Sequence, residues 1–195
     1  FSPSCERNKQ PIYELLQPIF KGCQSSFEIG SGSGQHAVYF ADKSPHLQWQ
    51  TSEMSDNIGC LTKNVTASSL VNVKQPQLLD VQNADHWPNQ RFDLIYSANT
   101  LHIMSWQHVI ALFQNITKIC HEKTYLAIYG PFKYQNEFTS NSNAEFDLWL
   151  KDRDSDSGIR DFEAVMAIAK KAGFKLIDDY TMPANNQLLL WQQQG

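Results

Sequence analysis

The stretch Phe27–His36, FEIGSGSGQH, constrains this chain more than any other. A short apolar run enters Gly30, Gly32 and Gly34, which alternate with Ser31 and Ser33, and a helix-like segment follows. So much glycine between a strand and a helix gives the backbone positive φ angles and room for close approach, at a cost in chain entropy. A strand, a glycine loop and a helix in that order open a parallel crossover unit, because parallel strands need a long connection across the face of the sheet.

The remainder of the chain repeats the alternation. Residues 8–22 carry Ile12, Leu15, Leu16, Ile19 and Phe20 at helical spacing, with Pro11 suited to a first turn and Pro18 expected to kink or divide the segment. Residues 35–43 continue as a helix, 46–53 as a strand, and Ser55 is expected to cap a helix to about Leu70, weakened by Gly59. Strands are expected at 76–81, 91–99 and 124–130, with a Ser105-capped helix over 105–120 between the last two. A polar stretch, 133–143, breaks the rhythm before a helix to about Lys151. Asp161 caps and Gly173 stops a helix over 161–173. Residues 174–182 and 186–193 then read as an antiparallel hairpin across a Pro-Ala-Asn turn, with a polar tail beyond.

The expected fold class is therefore α/β, a three-layer doubly wound domain. Its seven-stranded sheet is mostly parallel and ends in a C-terminal antiparallel hairpin. The expected organisation is one domain over 1–195, in which 1–24 form an N-terminal helical lid and 131–158 a substrate-side insertion.

Composition narrows the function. The net charge of −4 argues against a broad nucleic-acid surface. Cys5, Cys23, Cys60 and Cys120 show no two-residue pairing, and the six histidines have no metal-ligand spacing, so reduced thiols and no metal are expected. With neither a long apolar run nor a leader-like N-terminus, no membrane partner is expected and the location is read as cytoplasmic.

In a doubly wound sheet the loop after the first strand lies where ligands bind. A triphosphate loop would need Gly-Lys-Ser or Gly-Lys-Thr, and neither follows. A dinucleotide fingerprint counted from Gly30 would need glycine where Gln35 stands, which discounts a nicotinamide oxidoreductase. What stands is Glu28-x-Gly30-x-Gly32-x-Gly34, followed by Glu53 at the end of the second strand, Asp80-Val81 at the third and Ser97-Ala98-Asn99 at the fourth. A carboxylate at Glu28 suits an ammonium-bearing ligand better than a pyrophosphate, and one at Glu53 is able to accept both hydroxyls of a ribose.

This arrangement resembles the class I methyltransferases, which use S-adenosylmethionine and release S-adenosylhomocysteine. The resemblance implies that Gly30, Ser31, Gly32 and Gly34 approach the methionine portion, with Glu28 orienting the loop and favouring the amino end. It implies that Asp80 and Val81 meet the adenine, and that Asn99 marks the floor of the cofactor site and the mouth of the substrate site. More narrowly, the stretches 6–12, 28–41, 45–53, 98–106, 129–133, 158–163 and 182–189 resemble one small methyltransferase-like family without an assigned substrate, found in bacteria and animals. Glu53 stands where that family more often has aspartate, and the carboxylate is retained.

His102, just beyond the fourth strand, is the candidate base or substrate partner, and His36 a candidate in support of the site. Tyr129 and Lys133 are candidates for a substrate wall, with Arg7 and Asn8 folding over it. Residues 99–102 read Asn-Thr-Leu-His rather than Asn-Pro-Pro-Tyr or Asp-Pro-Pro-Tyr, which favours a small-molecule acceptor over nucleobase or glutamine amino groups. The expected function is thus methyl transfer to a small molecule. The alternative is a non-catalytic cofactor-binding protein that works through a protein partner.

Overall fold

The chain runs in the order α1 (Pro3–Phe20), β1 (Ser25–Glu28), α2 (Gln35–Lys43), β2 (Gln48–Glu53), α3 (Ser55–Ser68), β3 (Val73–Leu78), β4 (Phe92–Ala98), α4 (Trp106–Asn115) and β5 (Cys120–Gly130). It continues through β6 (Phe132–Tyr134), β7 (Glu137–Phe138), α5 (Asn141–Arg153), β8 (Arg160–Asp161), α6 (Phe162–Lys171), β9 (Phe174–Met182) and β10 (Asn186–Gln193). This computed structural model describes residues 1–194. Gly195, the end of the expected polar tail, lies outside the described residues.

The main sheet has seven strands in the order β3-β2-β1-β4-β5-β10-β9. Neighbours from β3 to β5 pair in parallel, and only β10 runs against both of its neighbours. The expected mostly parallel sheet with its terminal hairpin is present.

Period-two alternation assigns the two faces. Ile95, Leu126, Ile128, Leu189 and Trp191 face a core built with α4 and α6. Their sequence neighbours Leu94, Tyr96, Ala127, Leu188 and Leu190 face the opposite core, built with α1, α2 and α3. Strands buried on both faces in this way read as continuous apolar runs, as 124–130 does.

Three local expectations change. Helix α1 begins at Pro3, with the Ser2 hydroxyl accepting from the Cys5 amide, so Pro11 lies mid-helix rather than in a first turn. Its buried face, Asn8, Ile12, Leu16 and Phe20, repeats every four residues, and that packing outweighs the amide bond lost at Pro11. Ser55 is the first residue of α3 rather than its cap; the cap is Met54. Strand β3 occupies 73–78 rather than 76–81, because it is the sheet's edge and Pro76 sits where the register with β2 slips, between Gln50 and Ser52. A proline is tolerated at an edge bulge, where its missing N–H is not needed.

The polar stretch after β5, read as irregular, contains the short hairpin β6–β7. With β8 it forms a separate small sheet.

Candidate functional site

Strand order reverses between β1 and β4, whose carboxyl ends flank a crevice. A cleft of about 490 Å³ opens there. The glycine loop forms one wall and is pinned from behind: the Ile29 amide donates to the Tyr96 carbonyl, the Ser31 amide to the Ser52 carbonyl, and the Gly34 amide to the Ser31 carbonyl. Gly30 and Gly32 line the cleft at φ of 70° and 55°. A Cβ at Gly32 would meet nothing within 4 Å, so this backbone faces open space. Gly34 serves differently. It stands outside the cleft as the N-terminal cap of α2, and a Cβ there would lie 2.9 Å from Leu61 on α3.

Glu53 lines the cleft, and its Oε2 accepts from the Gly32 amide at 2.7 Å while Oε1 accepts from the Met54 amide at 2.9 Å. One carboxylate thus joins the end of β2 to the loop after β1. Glu28 is placed otherwise than the resemblance implied. It is 1% exposed and does not line the cleft, because alternation along β1 turns it to the α1–α2 face. There Trp49 Nε1–H donates to it at 3.0 Å, and Ser31 also bonds to it. Burial pushes its carboxyl up to about 7 against those two bonds, with nearby Glu53 adding to the rise. Glu28 supports the loop without reaching the cleft.

The far wall is apolar. Since β3 ends at Leu78, Leu79 and Val81 line the cleft and Asp80 between them does not; its Oδ1 accepts from the Gln82 amide at 2.9 Å. Leu79 and Val81 alternate with Asp80, so the acid turns away and Leu79 joins Val81 on the cleft wall. The turn after β4 adds Ile103 and Met104, held by Arg160, which donates to the Leu101 and Met104 carbonyls. Ser105 and His108 line the same end, with Ser105 Oγ 2.6 Å from His108 Nδ1. Met54, Leu79, Met104 and His108 were not anticipated. The Ser105-capped helix start after the fourth strand was the one available signal for His108.

The first turns of α1 close the top. Ser2 and Cys5 line the cleft, and on the other side of α1 a second cavity of about 280 Å³ is lined by Arg7, Asn8 and Tyr129 among others. Asn99, at φ 55°, lines both spaces. His36 lines the cleft, and its Nε2 stands 2.7 Å from Asn8 Oδ1. Burial lowers this imidazole to about 4, with Lys9 contributing, so the neutral ring donates to Asn8, which lines the second cavity with Tyr129. The His36–Asn8 bond links a wall of the cleft to a wall of the second cavity.

Two further candidates, like Glu28, Gly34 and Asp80, line neither space. His102 is 6% exposed, with its ring edge-on to Phe146 at 5.4 Å, and burial followed by Arg160 lowers it to about 4. The tight turn after β4 folds it beneath the 154–159 loop, where its carbonyl accepts from the Gly158 amide. Lys133 lies in β6, paired with β7 and β8, with its ammonium 5.5 Å from the Phe138 ring centre. The departure of the chain from the main sheet at Pro131 carries it away. The 131–158 segment does reach the cleft at its end, through Asp154 and Asp156.

Solved structures share this architecture. An O-methyltransferase family protein from Burkholderia thailandensis superposes with a TM-score of 0.85 at 14% identity, covering 98% of this chain and 57% of that one. Human N-acetylserotonin methyltransferase, solved in complex with SAM, gives 0.76 at 14% identity, covering 96% of this chain and 55% of that one. PigF, solved with SAH, gives 0.77 at 15% identity, covering 95% and 57%. The chain therefore spans just over half the length of these proteins. The fold is that of the class I S-adenosylmethionine-dependent methyltransferases. Within it, the chain belongs to the family described as "Protein of unknown function (DUF938)", whose profile matches residues 1–193.

Proposed function

We propose that the protein is a methyltransferase that uses S-adenosylmethionine and acts on a small-molecule acceptor. The observation that carries this reading is Glu53: a carboxylate in the cleft, bonded to the Gly32 amide of a glycine loop that faces open space. Gly30, Ser31 and Gly32 would hold the amino-acid portion of the cofactor, Glu53 its ribose, and Met54, Leu79, Val81 and Met104 its base. When bound, the cofactor supplies a methyl group on a sulfonium, which departs as a neutral thioether as the acceptor's electron pair takes the carbon.

The chain's own part is to bind, align and exclude water, which alone accounts for much of such a rate. Helix α1 covers both spaces, and Asn99 stands at their shared wall. A base is needed only where the acceptor carries a proton that must leave. No histidine, aspartate or glutamate lines the second cavity, and His102 is buried behind its Phe146 wall. That observation favours an acceptor that arrives ready to attack. It is also the one observation in favour of a cofactor-binding protein without turnover.

Incubation with methyl-labelled cofactor and a metabolite extract separates the two. Methyl transfer predicts label in the small-molecule fraction, lost in Glu53→Ala; cofactor binding without any labelled product supports the second reading.

A further inference from the structure

The second cavity has a one-sided chemistry. Arg7, exposed at its rim on α1, pairs with no carboxylate among the described residues; its guanidinium reaches only Ser4 Oγ at 3.4 Å. No acidic residue lines the space. A guanidinium with its fork free matches a carboxylate with two parallel bonds.

The interior differs from the rim. Phe146, Pro131 and Pro183 give it flat apolar walls, and Phe146 is held between His102 and the stacked Trp149 ring. Asn143 and Asn186 have committed their amide nitrogens, the first to Thr139 Oγ1 and the Asn185 carbonyl, the second to the Pro183 and Ala184 carbonyls. Their Oδ1 atoms accept nothing from the described residues, so they suit a hydroxyl on the ligand. At about 280 Å³ the cavity falls at or below the small end of ligand pockets, roughly 300–1,000 Å³. A single ring fills it.

We propose that this cavity binds a hydroxylated monocyclic aromatic carboxylate. Its carboxylate lies on Arg7, its ring against Phe146 and the prolines, and its hydroxyl toward the asparagine oxygens. That this molecule is the methyl acceptor rests on the methyl-transfer reading and on Asn99, which borders both spaces, and requires the hydroxyl proton to leave to solvent, since no histidine, aspartate or glutamate lines the cavity; the binding preference rests on neither.

The test is titration of the full chain with para-hydroxybenzoate, para-hydroxybenzamide and tyramine, which share a ring and differ in charge, followed by ligand-observed NMR. S-adenosylhomocysteine is titrated separately. The carboxylate should bind about tenfold or more tightly than the amide and the amine. Arg7→Gln should weaken it about ten- to hundredfold, the range of a charge-assisted bond, and leave S-adenosylhomocysteine affinity unchanged. Arg7→Lys should retain part of the preference. Equal binding of the three probes, no binding of the carboxylate, or full retention in Arg7→Gln overturns the proposal. If the carboxylate binds as stated and S-adenosylhomocysteine does not, the site stands and its role as an acceptor site falls.

Discussion

Glu28 and Glu53 end adjacent parallel strands, yet only Glu53 opens to the cleft. Glu28 faces Trp49 and the α1–α2 core, and burial holds its proton to a pH of about 7, against 4.5 for a free glutamate. Between those values the folded chain binds more protons than the unfolded one, so the Glu28 contribution to stability is complete below 4.5 and disappears as pH rises through 7. Glu28→Gln keeps an acceptor for the Trp49 indole and removes the ionisation. It should therefore unfold with a flatter pH profile and gain on the order of 3 kcal/mol over the wild type above neutrality. Parallel urea-unfolding profiles for the two proteins across that window would refute the assignment. Glu53 carries the opposite expectation. Glu53→Ala removes hydrogen bonds made by a charged group, so S-adenosylhomocysteine affinity should fall about ten- to hundredfold in calorimetry. An unchanged affinity would remove Glu53 from the ligand's contacts.

At the scale of elements, the glycine loop shows how far sequence reaches. Alternating glycines identify the loop but not the separate tasks of Gly32, which faces the cleft, and Gly34, which lets α2 pack on α3. Gly34→Ala combines a left-handed φ of 79° with a contact of 2.9 Å to Leu61, and should destabilise the fold by about 1–3 kcal/mol in thermal unfolding. Gly32→Arg has open space, so it should cost less stability, about 1 kcal/mol for the backbone, and abolish ligand binding by filling the cleft. The reverse pattern would show the two roles exchanged. The elements legible in sequence were those with undiluted periodicity. Helix α2 and strands β9 and β10 have the expected bounds. Strand β3 was misplaced by three residues because Pro76 reads as a strand start when it sits at an edge bulge. Asp80, which the resemblance put beside the adenine, lies between Leu79 and Val81 and outside the cleft lining. His102 lies outside both spaces for a different reason. Its distance along the chain from Asn99 is short, but the turn that buries it under the 154–159 loop depends on Arg160 and Asp147, far along the chain.

For the whole molecule, two cores on opposite faces of one sheet hold the carboxyl ends of β1, β2 and β4 at fixed separations, and α1 is laid across them by its Ile12, Leu16 and Phe20 stripe. The cleft is therefore largely formed by the packing that forms the fold, which lowers the ordering cost of binding. Its contents differ from those of the second cavity: backbone amides, the carboxylates of Glu53, Asp154 and Asp156 and an apolar slot against one cation and flat walls. This division of the crevice supports the proposal of a cofactor in one space and an acceptor in the other. The central claim is that the cleft takes S-adenosylmethionine or its product, and titration calorimetry of the full chain with S-adenosylhomocysteine tests it most directly. The account predicts one site per chain with a dissociation constant near or below about 10 μM, abolished by Gly32→Arg. No heat of binding and no rise in melting temperature at ligand concentrations up to about 1 mM, the weak end of the affinity scale, would contradict it.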